Sequence, residues 1–237
     1  MKRMNDMDKK AIVFDFNGTM FFDEDKHVLA WRKFAKDNFN KDIKDEDFAL
    51  HIHGRNNQGI LSFLTGTEVS KEDASLYGEQ KEMIYQKICE EDKDTLHLVD
   101  GLPEFLDELK ANDIEFAICT SSMKPNVDWY IRTFDLHRWF DDDHIIYDDG
   151  TLKRGKPDPE IFLRAIETLK RKSEDVVVFE DAFSGIKAAY AAKAKFIVAI
   201  EPEERTKQFE TLPGVKYVIH DFKNLPLPLR EEFGLKS

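Results

Sequence analysis

The stretch AIVFDFNGTM, residues 11–20, decides the fold of this chain. Its first four residues form an apolar run that is too short for a typical helix and that lacks the polar alternation of a half-buried strand. Three similar runs, rich in β-branched or aromatic residues, follow at 114–119, 175–179 and 196–200. Such runs are typical of parallel strands covered on both faces, and weaker runs at 144–147 and 216–219 extend the same predicted sheet.

Helical patterns separate the predicted strands. Amphipathic segments lie at 102–110, 159–169 and 185–192. Their alternation with the strands predicts an α/β fold in which a Rossmann-like parallel sheet lies between two layers of helices. Residues 25–94 differ, because they carry several helical patterns and no convincing strand. We therefore predict an α/β core domain formed by residues 1–24 and 95–237, with an inserted α-helical domain at 25–94.

The composition predicts a soluble globular protein. Of the 237 residues, 41% are hydrophobic and 19 are phenylalanine, which is enough to bury a core. The formal net charge of −12 repels phosphate backbones and anionic lipid surfaces, so we expect neither nucleic acid nor a membrane as a partner. We see no signal peptide or spanning segment, and Cys89 and Cys119 lack a CxxC spacing. We expect a cytoplasmic protein that is a monomer or weak dimer.

Polar residues that could bind a ligand or take part in catalysis follow the predicted strands. They are Asp15 after the first strand, Thr120 and Ser121 after the second, Lys156 in a later loop, and Glu180 with Asp181 after the third. Ligands of parallel sheets bind outside the carboxyl ends of the strands, so we expect these side chains to meet at one edge. Paired carboxylates favour Mg²⁺, and an ammonium with a hydroxyl complements phosphoryl oxygens. The set predicts magnesium-dependent phosphoryl transfer.

Four motifs in the chain, DFNGTM, CTSS, GKPDPEIF and FEDAFSGIKAA, together resemble the haloacid dehalogenase superfamily. The resemblance is strongest to its branch of β-phosphoglucomutases and small sugar phosphatases. It implies that Asp15 is a nucleophile that becomes an aspartyl phosphate, and that Thr120 and Ser121 bind phosphate together with Lys156. It also implies a small phosphate ester, in particular a sugar phosphate, as substrate.

The resemblance further implies a magnesium site and a mobile cap. Mg²⁺ would be held by Asp15, the backbone carbonyl of Asn17, Glu180 and Asp181. Residues 25–94 correspond to the cap, whose closure excludes water and brings substrate-reading side chains to the site. Within it, the residues similar to the substrate-contacting residues of the mutase branch are His27, Arg55 and Lys81. We do not interpret His51 and His53 as metal ligands. Two histidines two positions apart in a helix-rich segment are more often packed or exposed residues than ligands.

Asn17 departs from the family pattern, which has a second aspartate at this position. That aspartate acts as general acid and base, a contribution of about 10² to 10⁴ in rate, and an amide carries no proton to give. Four interpretations stay open. The protein is an enzyme for substrates with good leaving groups, an enzyme in which His27 supplies the proton, or a weakly catalytic phospho-ligand binding protein; or Asn17 only holds the loop. We favour hydrolysis over a mutase reaction, which is the alternative.

Overall fold

The computed structural model describes residues 10–52, 57–201 and 206–235. The chain divides into two compact units, one formed by Met1–Phe22 with Leu98–Ser237 and the other by Asp23–His97. The first unit holds the sheet, and the second is helical with no strand in the part of it that the structure describes. The domain assignment itself, with 1–24 and 95–237 as the core domain and 25–94 as the insert, stays a prediction.

The first unit is built on a parallel sheet of six strands, β1 (Ala11–Phe14), β2 (Phe116–Met123), β3 (Ile145–Asp148), β4 (Val176–Glu180), β5 (Phe196–Ile200) and β6 (Val215–Ile219). The strand order is β3-β2-β1-β4-β5-β6, and every neighbouring pair is parallel. The predicted α/β fold with a parallel sheet is therefore confirmed. Because β1 lies between β2 and β4, the carboxyl ends that carry Asp15, Thr120 and Glu180 are adjacent.

Strand β2 is longer than predicted at its carboxyl end. Its register with β3 shifts after Cys119, and pairing resumes between Met123 and Asp148. Thr120 and Ser121 therefore lie within the strand, whereas the sequence placed them after it. The prediction was wrong here because polar side chains end an apolar run but do not end the backbone ladder, whose hydrogen bonds are independent of the side chains.

The second unit consists of helices α1 (Glu24–Phe39), α2 (Asp45–Asp47), α3 (Asn57–Thr65) and α4 (Lys71–Glu91), with a π-helical turn at Phe48–Ile52. Trp31, Phe34, Leu61 and Leu64 belong to its apolar core. Helix α3 includes Asn57 and Gly59. His53 and Arg55 fall outside the described residues.

Helices cover both faces of the sheet. They are α5 (Leu102–Ala111), α6 (Lys124–Phe134), α7 (Glu160–Thr168), α8 (Phe183–Ala191), α9 (Thr206–Glu210) and α10 (Leu227–Glu232). Side chains of α7 and α8 pack with Ala11 and Val13 on one face. On the other face Phe14 contacts Phe105 of α5, with ring centroids 6.3 Å apart, as the two-residue alternation of a strand requires. None of the helices described is both long and apolar enough to cross a membrane.

Candidate active site

The candidate site lies at the carboxyl edge of the three central strands, β2, β1 and β4. Asp15 directly follows β1, and its backbone N–H donates to the carbonyl oxygen of Phe179 on β4 at 2.9 Å. Thr120 lies in β2, and Glu180 is the last residue of β4. All three residues are at least 95% buried. The sheet thus brings Asp15 together with two residues that are more than 100 positions away from it in sequence.

Three acidic side chains at this edge could hold a metal ion. Carboxylate oxygens of Asp15, Glu180 and Asp181 all lie within 4.8 Å of one another. Asp15 and Glu180 are buried, and Asp181 is half-buried. Mg²⁺ and Ca²⁺ take oxygen ligands of this type. The donor set therefore fits the magnesium site that the sequence predicted.

Lys156 lies among these carboxylates. Its Nζ donates to Asp15 Oδ1 at 2.5 Å and to Glu180 Oε1 at 2.7 Å, and its side chain is only 8% exposed. Burial alone lowers the pKa of Lys156, but the charges of Asp15 and Glu180 outweigh burial, so its pKa is raised and it stays an ammonium. The four side chains carry two net negative charges when ionised, an arrangement that favours a divalent cation.

Two glycines make room for the acidic side chains. Glu180 Oε2 accepts from the backbone N–H of Ala182 at 2.6 Å, just before α8, and a Cβ at Gly185 would lie 1.5 Å from Glu180 Oε1. Gly18 has a φ of +75°, and a Cβ there would lie 2.1 Å from Asp181 Oδ2. Only glycine therefore fits at either position without moving a carboxylate.

Asn17 is held by hydroxyl groups from β2 and α6. Its Nδ2 donates to the phenol oxygen of Tyr130 at 2.8 Å. Its Oδ1 accepts from Ser122 Oγ at 2.8 Å and from Thr120 Oγ1 at 3.4 Å. The ring of Tyr130 in turn stacks on Phe16, with centroids 4.2 Å apart. Both polar atoms of the Asn17 side chain are thus hydrogen-bonded.

The sequence missed two members of this network. Ser122 is the next residue of the CTSS motif after Ser121, and the motif could have indicated it. Ser121 itself is exposed, whereas Ser122 reaches Asn17. Tyr130 lies in the middle of an amphipathic helix, where nothing local distinguishes it from a core aromatic. Its contact with Asn17 joins residues 113 positions apart.

The remaining predicted residues belong to the second unit. His27 lies on α1 and Lys81 on α4, and Lys81 Nζ is 3.3 Å from His27 Nδ1. Lys81 is buried, with 3% of its surface exposed. Arg55 lies outside the described residues. Their roles toward a substrate stay predictions.

Comparison with known proteins identifies the family. The sequence model of the haloacid dehalogenase-like hydrolase family matches residues 9–193 of this chain. A phosphorylated carbohydrates phosphatase of Thermotoga maritima is 29% identical over 195 residues, which cover 81% of this chain and 85% of that protein. A β-phosphoglucomutase of Bacillus subtilis is 29% identical over 233 residues, which cover 94% of each.

A solved structure extends the match to the whole fold. The crystal structure of a HAD hydrolase, family IA, variant 3, from Entamoeba histolytica is 34% identical with a TM-score of 0.87, and the alignment covers 94% of this chain and 97% of that one. The resemblance that the four motifs carry is thereby confirmed. The chain belongs to the haloacid dehalogenase-like hydrolase family and is an enzyme of its phosphatase and phosphomutase type.

Proposed function

We propose that this enzyme is a magnesium-dependent phosphatase of a small phosphorylated sugar and that it works through a phosphoenzyme at Asp15. The observation that carries the proposal is the cluster at the sheet edge, in which a buried Asp15 contacts Lys156 beside Glu180 and Asp181. The substrate class follows the relatives, one named a phosphorylated carbohydrates phosphatase and one a β-phosphoglucomutase.

In this proposal Mg²⁺ is held by Asp15, Glu180 and Asp181 together with the backbone carbonyl of Asn17. When bound, the ion supplies positive charge against the phosphoryl oxygens. The acidic cluster supports this assignment, because a phosphorylated substrate could not approach three carboxylates without added positive charge. Lys156 provides one such charge and also holds the carboxylate of Asp15 in place.

The proposed reaction has two halves. The carboxylate of Asp15 attacks phosphorus, the ester P–O bond breaks, and the departing sugar oxygen takes up a proton. Water then attacks the aspartyl phosphate, which releases inorganic phosphate and restores the Asp15 carboxylate. Lys156 and the hydroxyl of Thr120 bind the phosphoryl oxygens in both halves, and fixed donors of this kind stabilise the charge that develops in the transition state.

Asn17 limits this reaction in our proposal. Its amide has no proton to give to the sugar oxygen, and its hydrogen bonds to Tyr130, Ser122 and Thr120 support the interpretation that it holds the loop and the phosphate-binding hydroxyl. The same observation favours a second candidate function, a phospho-ligand binding protein with slow turnover. A mutase reaction is the less favoured alternative, because it needs proton transfer at this position in both directions.

A phosphatase assay tests the proposal. Hydrolysis of a panel of sugar phosphates is measured with and without Mg²⁺, beside the Asp15→Ala variant. We expect magnesium-dependent release of phosphate from the natural protein and none from the variant. Calorimetric binding of a sugar phosphate without release of phosphate would support the second candidate. If Asp15→Ala retained most of the activity, Asp15 would not be the nucleophile.

A further inference from the structure

The helical unit contains a buried polar network that joins α1 to α4. The hydroxyl of Tyr85 donates to Asp23 Oδ2 at 2.5 Å, and His27 Nε2 lies 3.3 Å from the same oxygen. Asp23 is 1% exposed, and Tyr85 is fully buried. A buried carboxylate is costly unless hydrogen bonds satisfy it, and these two groups can both donate to Asp23.

The contact with Lys81 determines where His27 carries its proton. Lys81 Nζ lies 3.3 Å from His27 Nδ1. A lysine ammonium has three donors and no acceptor, so Nδ1 must be the acceptor in this contact. With Nδ1 as the acceptor, the ring proton lies on Nε2, the nitrogen that faces Asp23. Glu82 Oε1 lies 2.5 Å from Lys81 Nζ and accepts from the same ammonium group.

The same network fixes the plane of the imidazole ring. His27 stacks on Tyr85 with ring centroids 4.0 Å apart and planes 2° from parallel. Asp23 thus holds both stacked rings through one oxygen. Asp23 is also the N-cap residue of α1, yet its side chain makes no capping hydrogen bond. Helix capping therefore does not explain a buried carboxylate at this position.

We propose that Asp23 is a positioning residue that, together with Tyr85, holds His27 in the Nε2–H tautomer and directs the Nδ1 lone pair at Lys81. The proposal rests on the proposed function and on the prediction, from the family resemblance, that His27 and Lys81 contact the substrate. It also gives His27 a role other than that of proton donor, which one interpretation of Asn17 assigned to it. With both ring nitrogens engaged, His27 orients the ammonium of Lys81 and does not supply the proton that Asn17 lacks.

Nuclear magnetic resonance of the ¹⁵N-histidine-labelled protein tests the tautomer. Signals that disappear in His27→Gln identify residue 27 among the seven histidines. We expect the proton on Nε2, and we expect it to be visible in water because its hydrogen bond to Asp23 slows exchange. A proton on Nδ1, or on both nitrogens at neutral pH, would overturn the proposal.

Matched variants test the role of Asp23. Asp23→Ala should lose the Nε2–H signal, whereas Asp23→Asn keeps an acceptor oxygen and should retain it. Asp25→Asn removes a carboxylate two positions away that pairs with Lys26, and it should leave the signal unchanged. Retention of the signal in Asp23→Ala, or its loss in Asp25→Asn, contradicts the proposal.

Kinetics link the network to the substrate. For the sugar phosphate that the natural protein hydrolyses fastest, Asp23→Ala should raise KM roughly tenfold, and Asp23→Asn should restore most of the affinity. An unchanged KM in Asp23→Ala would rule out a positioning role. The resonance measurements need no substrate, so they give the same answer even if the Asp15→Ala result overturns the proposed function.

Discussion

The side chain of Asn17 should limit the turnover of sugar phosphates. Aspartate has the same size and could accept hydrogen bonds from Ser122 and Tyr130, because a phenol can donate as well as accept. Asn17→Asp should therefore fit the site and supply the missing proton. We expect kcat for sugar phosphates to rise by roughly 10² and kcat for an aryl phosphate to change little, since an aryl oxygen leaves without protonation.

Spontaneous deamidation must be controlled in this experiment. Asn17 precedes Gly18, a sequence prone to deamidation, and a trace of aspartate at position 17 would imitate the variant. Peptide mass spectrometry of the natural protein measures that trace. If Asn17→Asp left sugar phosphate hydrolysis unchanged with no deamidation detected, the missing proton would not be what limits the enzyme.

Asp181 should contribute to metal binding more than to folding. Loss of residues that only support metal ligands costs about 10- to 100-fold in metal affinity, so loss of a ligand should cost at least as much. We expect Asp181→Ala to raise the Kd for Mg²⁺ tenfold or more in calorimetry. Asp128→Ala, which removes an exposed carboxylate paired with Lys124, should bind Mg²⁺ as the natural protein does. Equal affinities in both variants would place the metal elsewhere.

At the level of elements, the strands were predictable where apolar residues fill the whole strand. Strands β1 and β5 have the predicted bounds, because each is buried along its full length. The carboxyl end of β2 was not predictable, since its last residues are polar and partly exposed. The strand ends also indicated Asp15, Glu180 and Asp181, and the loop before α7 indicated Lys156. Tyr130 could not be found, because its contact with Asn17 depends on how α6 packs on the sheet.

Catalytic activity should not tolerate a side chain at position 185, near the start of helix α8. A Cβ there would overlap the carboxylate of Glu180 and displace it from Lys156. Alanine is otherwise favoured over glycine in a helix by about 1 kcal/mol, so folding should survive the change. We expect Gly185→Ala to lower kcat roughly tenfold or more with little change in Tm.

Gly155 offers a matched control for this prediction. It precedes Lys156, and a Cβ at this position would meet no atom within 4 Å. Gly155→Ala should therefore keep most of the activity. If Gly185→Ala and Gly155→Ala had the same activity, the close approach of Gly185 to Glu180 would have no role in catalysis.

At the scale of the whole molecule, ion pairs connect the two ends of the sheet-containing unit. Lys10, just before β1, bonds Glu232 at the end of α10, and Lys216 Nζ bonds the same carboxylate at 2.7 Å. The two residues of the first pair are 222 positions apart. These hydrogen bonds, that of Lys10 foremost, lower the pKa of Glu232 from 4.5 to about 2. A carboxylate with a lowered pKa stabilises the folded state above its unfolded pKa.

Glu232→Gln should therefore destabilise the protein in a pH-dependent way. At pH 7 we expect the free energy of unfolding to fall by about 1 to 2 kcal/mol, after a discount for the partial exposure of these ion pairs. The difference from the natural protein should shrink as the pH falls below 4.5 and vanish near 2, where Glu232 becomes protonated in the folded state. Urea denaturation at several pH values measures it, with the exposed neighbour Glu231→Gln as control. A difference that stayed constant with pH would mean that the charge of Glu232 contributes nothing, and that only the shape of its side chain matters.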